Sequence, residues 1–139
     1  MIKNKYLFLG FLISLIAMMG SLYFSEIMKF VPCTLCWYQR IAMYPLVIIL
    51  FIGSTAKYDV NIVKITLVQV LAGLTFSIYQ NALVYGFIDE GFKICIQGSI
   101  PCDLKYLNYF NFITIPLMSF TAFLLILIAL LFNFLAHKD

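Results

Sequence analysis

Charged residues are scarce in this chain. Lysine, arginine, aspartate and glutamate make up 11% of its 139 residues, whereas they supply about a quarter of an average soluble domain. Hydrophobic residues make up 64%. This composition excludes a soluble globular protein and indicates an integral membrane protein. The net charge of +3 is small and the charges lie between apolar blocks, so a nucleic-acid-binding surface is not indicated.

Histidine and the common catalytic motifs are also scarce or missing. His137 is the only histidine, and it lies at the C-terminal end, far along the chain from every cysteine. A histidine general base beside the cysteines is therefore excluded. The sequence has no phosphate-binding loop, no paired carboxylates and no Ser/His/Asp arrangement, so those kinds of site are excluded as well.

Four apolar segments are long enough to cross a bilayer, which takes about 20 residues in a helix. They are predicted at about residues 6–24, 37–56, 62–85 and 113–135. The first follows Lys3 and Lys5 and exceeds the apolar part of a signal peptide, so we expect it to be retained as a helix. Polar side chains within these spans should face protein and form interhelical hydrogen bonds, Gln69 among them. Gln80 and Asn81 fall nearer the outer end of the third span, where they can approach a ligand.

The segments between the spans complete the predicted architecture. The longest polar segment runs from Gly86 to Asn111 and reads as an exposed loop. Its last part, Leu104 to Phe112, is rich in leucine and aromatic residues and suits a short helix lying in the interface. The sequence therefore predicts a single domain over residues 1–139. We expect an all-α membrane protein, a four-transmembrane-helix bundle with a short outer interfacial helix.

Four spans place both termini on one side of the membrane and all four cysteines on the other. The lysines on the side of the termini are Lys3, Lys5, Lys57, Lys64 and Lys138, and those on the other side are Lys29, Lys93 and Lys105. This bias favours cytoplasmic termini. Disulfides persist outside the cytoplasm, which favours the same orientation. We therefore expect a multi-pass protein of the cell membrane with its cysteines on the outer face.

Cys33 and Cys36 stand two residues apart where a polar loop runs into the second span. Cys36 is expected at a helix N-terminus, where backbone N–H groups favour a thiolate. Arg40 follows four residues later, which on a helix puts it on the same face at about 6 Å. A cation there can serve an anionic sulfur or a ligand oxygen. Because so short a disulfide ring removes little chain entropy, redox use is favoured over a structural role.

Cys95 and Cys102 form the second cysteine pair, with six residues between them. Proximity in sequence favours disulfides between Cys33 and Cys36 and between Cys95 and Cys102. The second disulfide can be structural and hold its loop together, or it can take part in thiol–disulfide exchange. The spacing of Cys95 and Cys102 is compatible with both roles. A four-cysteine zinc site is the chemical competitor, but the second spacing is too long and an oxidising compartment favours disulfides. No metal is expected.

The run CTLCWYQR, followed by an apolar helix that contains Met43-Tyr44-Pro45, resembles the DsbB/BdbC family of membrane disulfide oxidoreductases. The resemblance is closest to the short BdbC-type branch. It covers nearly the whole chain, because the length, the four apolar spans and the second cysteine pair all agree. Gln39 stands where an acid often precedes the arginine in DsbB, and the second cysteine loop is compact.

The resemblance implies an enzyme that reoxidises an extracytoplasmic thioredoxin-like disulfide donor of the DsbA/BdbD kind and passes electrons to membrane quinone. It leans toward menaquinone over ubiquinone. It also implies that all four cysteines are catalytic: Cys95 forms the mixed disulfide with the donor, Cys102 then attacks Cys33, and Cys36 leaves as a thiolate. Arg40 and Cys36 are the residues expected to bind the quinone.

Two other functions remain open from the residues. A vitamin-K-reductase-like enzyme would also combine a CxxC pair with quinone in a four-helix bundle, although its active pair usually comes later in the chain. A non-enzymatic membrane scaffold with two structural disulfides is the second alternative. Quinone-dependent thiol oxidation by the purified protein separates the scaffold from both enzymes.

Overall fold

The computed structural model describes residues 4–27, 29, 34–57, 59–85, 87 and 115–138. These residues form four α-helices and no strand. The helices are α1 (Lys5–Glu26), α2 (Thr34–Thr55), α3 (Val60–Val84) and α4 (Ile115–Lys138). Their ends lie within three residues of the predicted spans. The predicted all-α class and the four-helix bundle are confirmed, while the predicted interfacial helix at Leu104 to Phe112 falls outside the described residues.

Each of the four helices is long and apolar enough to cross a membrane. The 25 residues of α3 extend for about 37 Å at the usual rise per residue, compared with about 30 Å of hydrocarbon in a bilayer. Large apolar side chains cover the outer surface, and Ile16, Ile48 and Val68 are among the most exposed. Because so continuous an apolar surface is compatible with lipid and not with water, the chain is a multi-pass membrane protein.

The helices form a ring in which each packs mainly against two neighbours. α1 contacts α2 and α4, and α3 contacts the same two helices. The side chains that close the centre of the ring come from all four helices: Leu7, Met43, Leu46, Leu50, Val70, Leu74, Phe123, Ile126 and Leu130. α2 and α4 therefore each lie between α1 and α3.

Hydrogen bonds show which helix ends meet. Asn4 Nδ2 donates to the Gly53 carbonyl at 3.0 Å, and His137 Nε2 lies 3.2 Å from Asn4 Oδ1. The start of α1 and the ends of α2 and α4 thus meet at what we call the terminal end. The opposite end contains Cys36 in the first turn of α2 and is called the cysteine end. His137 is therefore remote from Cys36, as the sequence predicts.

A glycine sets the spacing between α3 and α4. A Cβ atom on Gly73 would lie 2.9 Å from Cδ1 of Phe123 and closer still to Cε1 and Cζ, whereas carbon atoms in contact are about 3.5–4.0 Å apart. The Phe123 side chain is fully buried. One helical turn nearer the cysteine end, the hydroxyl oxygens of Ser77 and Ser119 lie 3.4 Å apart. The close approach at Gly73 therefore positions the next polar contact between these helices.

A polar side chain of α3 also supports α2. Gln69 Nε2 donates to the backbone carbonyl of Ala42 at 2.9 Å, which confirms the interhelical bond predicted for it. Because proline has no N–H, Pro45 cannot donate to the backbone carbonyl of Ile41 as a helical residue normally would. The bond from Gln69 reaches the adjacent carbonyl, that of Ala42. α2 nevertheless continues through Pro45 to Thr55.

Candidate active site

Two of the five predicted site residues, Cys36 and Arg40, are in the described part of the chain. Cys33, Cys95 and Cys102 lie outside it, so their pairing and their catalytic roles stay predictions. Cys36 lies in the first turn of α2, as predicted, and its side chain is half-buried. The backbone N–H groups of a first helical turn lack intrahelical acceptors, and they favour negative charge nearby.

The sulfur of Cys36 faces α3. Gln80, near the end of α3, donates from Nε2 to Cys36 Sγ at 3.2 Å. Phe76, Tyr79 and Leu83 of α3 belong to the same partly buried cluster as Cys36. An amide donor thus reaches the sulfur within a mostly apolar cluster. The expectation that Gln80 and Asn81 approach a ligand stays a prediction, and the observed contact of Gln80 is with Cys36.

Gln80 begins a row of polar side chains that links three helices, and all of them except the partly exposed Ser119 are buried. Its Oε1 accepts a hydrogen bond from Nε2 of Gln39 on α2 at 2.8 Å. Oε1 of Gln39 accepts one from the hydroxyl of Ser119 on α4 at 2.9 Å, and Ser119 faces Ser77 of α3. Gln39, Gln80 and Ser77 are 7%, 2% and 0% exposed. We call Gln80, Gln39, Ser119 and Ser77 the polar row.

Arg40 lies one turn after Cys36 and faces α1. Its Nε donates to the Ser21 hydroxyl and its Nη2 to the Ser21 carbonyl, both at 3.0 Å, while Nη1 donates to the Ser25 hydroxyl at 3.3 Å. Cζ of Arg40 also lies 5.7 Å from the centroid of the Trp37 ring. A guanidinium has five N–H groups, so these three bonds leave two for another acceptor. Within the described ranges no carboxylate pairs with Arg40.

The structure directs Cys36 and Arg40 toward different helices, although the sequence placed them on one face of α2. Four residues advance a helix by about 400°, so the two residues are offset by about 40° around the axis. Because α2 lies between α1 and α3, this offset lets Cys36 meet Gln80 while Arg40 meets the serines of α1. In the part of the chain described, the hydrogen bonds of Arg40 go to α1 and none goes to the sulfur.

Sequence reasoning missed several polar partners. It gave no role to Ser21 and Ser25, which hold Arg40, or to Ser77 and Ser119 of the polar row. It noted Gln39 only as a departure from an acidic residue. A usable signal was present, because polar side chains in membrane spans face protein. Ser21 and Ser25 are also spaced so that both lie on one face of α1.

Comparison with known proteins places the chain among disulfide-forming proteins. The family model described as disulfide bond formation protein DsbB matches residues 3–133. Disulfide bond formation protein C of Bacillus subtilis is 50% identical over 130 residues, and the probable disulfide formation protein C of Halalkalibacterium halodurans is 49% identical over 128. Both matches cover 91% of this chain and 91% of the relative.

A third relative, the probable disulfide formation protein C 2 of Bacillus anthracis, is 45% identical over 132 residues, which cover 95% of this chain and 92% of the relative. No solved structure matches the chain significantly. The sequence resemblance drawn from the CTLCWYQR run is confirmed by these relatives.

Proposed function

Because the chain belongs to the DsbB family of disulfide bond formation proteins and is a membrane disulfide oxidoreductase, we propose that it couples donor oxidation to quinone reduction. The donor is an extracytoplasmic thioredoxin-like protein of the DsbA/BdbD kind, and menaquinone is favoured over ubiquinone. The main support is the position of Cys36 in the first turn of a membrane-spanning helix, with an amide donor on its sulfur.

The cysteines carry the exchange in two balanced steps. The donor protein arrives as a dithiol, and its thiolate attacks the Cys95 to Cys102 disulfide; the donor leaves oxidised and this pair is reduced. Cys102 then attacks Cys33, which forms a Cys33 to Cys102 disulfide and releases Cys36 as a thiolate. Cys95 next attacks Cys102, which restores the Cys95 to Cys102 disulfide and releases Cys33. The net result is a new disulfide in the donor and two electrons on the Cys33 and Cys36 thiols.

The region around Arg40 fits a planar ligand with carbonyl oxygens. Two guanidinium N–H groups remain after its bonds to α1, and the Trp37 side chain is 53% exposed beside it. When bound, a quinone would supply the acceptor for the two electrons and two protons that Cys33 and Cys36 give up as their disulfide forms again. Arg40 would donate to a ligand oxygen and stabilise negative charge on it, since no carboxylate in the described part neutralises the guanidinium.

The proposed orientation has the terminal end in the cytoplasm and the cysteine end at the outer face. It follows from the lysine bias of the sequence and from the chemistry of disulfides. The grouping of Asn4 and His137 at one end of the bundle supports the same side for the two termini. The donor protein would then dock at the outer face.

The direct test is anaerobic. Purified protein, a reduced thioredoxin-like donor and either menaquinone or ubiquinone are mixed, and quinone absorbance is followed together with donor thiols. We expect one quinone to be reduced for each donor disulfide formed, faster with menaquinone. Donor oxidation without quinone reduction would reject the proposed coupling, and no oxidation at all would favour a structural scaffold.

Arg40 is tested with a matched control. Arg40→Ala is expected to retain the disulfides but to raise the apparent KM for quinone by about tenfold or more, because a hydrogen bond from a charged donor is lost. Arg40→Lys should recover only part of the loss, since lysine lacks the planar fork. The control is the double variant Ser21→Ala and Ser25→Ala, which loosens the α1 contact and keeps the guanidinium. If that control raises the KM as much as Arg40→Ala, Arg40 acts by holding α1 and does not bind quinone.

A further inference from the structure

We propose that the polar row sets the reactivity of Cys36 by fixing the direction of the Gln80 amide. Gln80 acts on the sulfur directly, while Gln39, Ser119 and Ser77 are positioning residues that act through it. The inference rests on the proposed function for the role of Cys36 as a leaving thiolate. Its test needs neither quinone nor donor protein, so the two proposals can fail separately.

The direction of each hydrogen bond follows from the one before it. Ser119 has a single O–H, which it donates to Oε1 of Gln39. With its oxygen engaged there, Gln39 turns Nε2 toward Oε1 of Gln80. Gln80 must then present Nε2, a donor, to Cys36 Sγ. If Gln80 alone reversed, its NH₂ would face the NH₂ of Gln39 and the bond between the two amides would be lost.

A donor at the sulfur favours one charge state of Cys36. A thiolate is a strong hydrogen-bond acceptor, whereas the sulfur of a thiol accepts only weakly and the S–H is itself a donor. The observed direction of the row therefore stabilises the leaving thiolate, and reversal of both amides would instead suit the thiol. Because no member of the row can ionise, the row stabilises this charge without bringing another charge into the membrane.

The ionisable groups around Cys36 in the described part of the chain include Tyr38 of α2, whose ring stacks on Phe76 of the same cluster. Tyr79 of α3 belongs to the same cluster as Cys36. Arg40 of α2 bonds to α1, and the described first turns of α4, residues 117–121, contain no titratable side chain. The Gln80 amide links the sulfur to the rest of the row.

The test measures how readily Cys36 is alkylated. The parent protein carries Cys33→Ser, Cys95→Ser and Cys102→Ser, so Cys36 is its only thiol, and its rate of reaction with iodoacetamide is followed against pH in detergent. Gln80→Met removes the donor at similar volume. We expect its pH profile to move upward by about one to two units, the effect of losing one hydrogen bond to a charged group.

The matched control is Gln69→Met, the same substitution on the same helix at a residue that bonds α2 but not the sulfur; its profile should equal that of the parent. Ser119→Ala leaves Cys36 and Gln80 intact and should give a smaller shift in the same direction. If Gln80→Met does not fold, the pH profile of Ser119→Ala alone tests the proposal. Profiles of Gln80→Met and Ser119→Ala that match the parent would overturn the proposal, as would an equal shift in Gln69→Met.

Discussion

Gly73→Ala tests whether the spacing of α3 and α4 holds the polar row together. The added Cβ would lie 2.9 Å from Cδ1 of Phe123 and closer still to Cε1 and Cζ. The Cδ1 contact alone requires the ring and α3 to separate by about 0.6 Å, and the two closer atoms require more. Phe123 is fully buried, and close packing of a protein interior leaves a buried ring little room to move aside. Overpacking of this kind costs about 1–3 kcal/mol, from which the better helix propensity of alanine recovers about 0.5–1 kcal/mol.

The same separation should reach the active site. Ser77 on α3 and Ser119 on α4 each lie one turn nearer the cysteine end than Gly73 and Phe123. Their hydroxyl oxygens are already 3.4 Å apart. A further increase takes them beyond hydrogen-bonding distance. We therefore expect Gly73→Ala to lower thermal stability in detergent, followed by circular dichroism, and also to slow donor oxidation.

A control and a rescue make the result specific. Gly20→Ala places a Cβ where no atom lies within 4 Å, so it should leave activity unchanged and not reduce stability. Phe123→Leu combined with Gly73→Ala should restore part of the stability lost in Gly73→Ala, as a double-mutant cycle measures. If Gly73→Ala is as stable and as active as the parent, the close approach does not control the spacing of these helices.

Two further predictions concern orientation and packing. Reporter fusions after Tyr58 and at the C-terminus should report the cytoplasm and one after Gln97 the outer side; the inverse pattern would reject the proposed orientation. Asn133 is fully buried, and its two amide atoms have no hydrogen-bond partner in the described structure. Asn133→Leu should therefore raise the free energy of unfolding by about 1–3 kcal/mol. A lower thermal stability of this variant would show that the Asn133 amide has hydrogen-bond partners when the protein is in the membrane.

The helices could be predicted from the sequence because each is defined by a continuous apolar run of membrane length. The run from Tyr6 to Phe24 and the charged turn at Lys57 and Asp59 give α1 and the α2–α3 connection to within a few residues. Cys36 could be placed at a helix N-terminus for the same reason. These features depend on local composition, which a single sequence displays directly.

The partners of the polar side chains could not be predicted in the same way. Whether Arg40 meets α1 or the sulfur depends on how α2 is rotated about its own axis between its neighbours, and no sequence pattern records that rotation. The meeting of Ser77 with Ser119 depends on an absent side chain at Gly73 and on a ring at Phe123. Such contacts join residues far apart in sequence, so they become visible only when the helices are packed.

The bond between Arg40 and α1 has a consequence for membrane insertion. An arginine opposes membrane insertion by about 2.5–3.5 kcal/mol at the centre of a lone helix, and by less near a helix end, where Arg40 lies. Ser21 and Ser25 precede Arg40 in the chain and are synthesised before it. When α2 leaves the ribosome, the hydroxyls that bind its guanidinium are therefore already present on α1. The guanidinium of Arg40 can therefore find its hydrogen-bond acceptors on α1 as soon as the two helices meet.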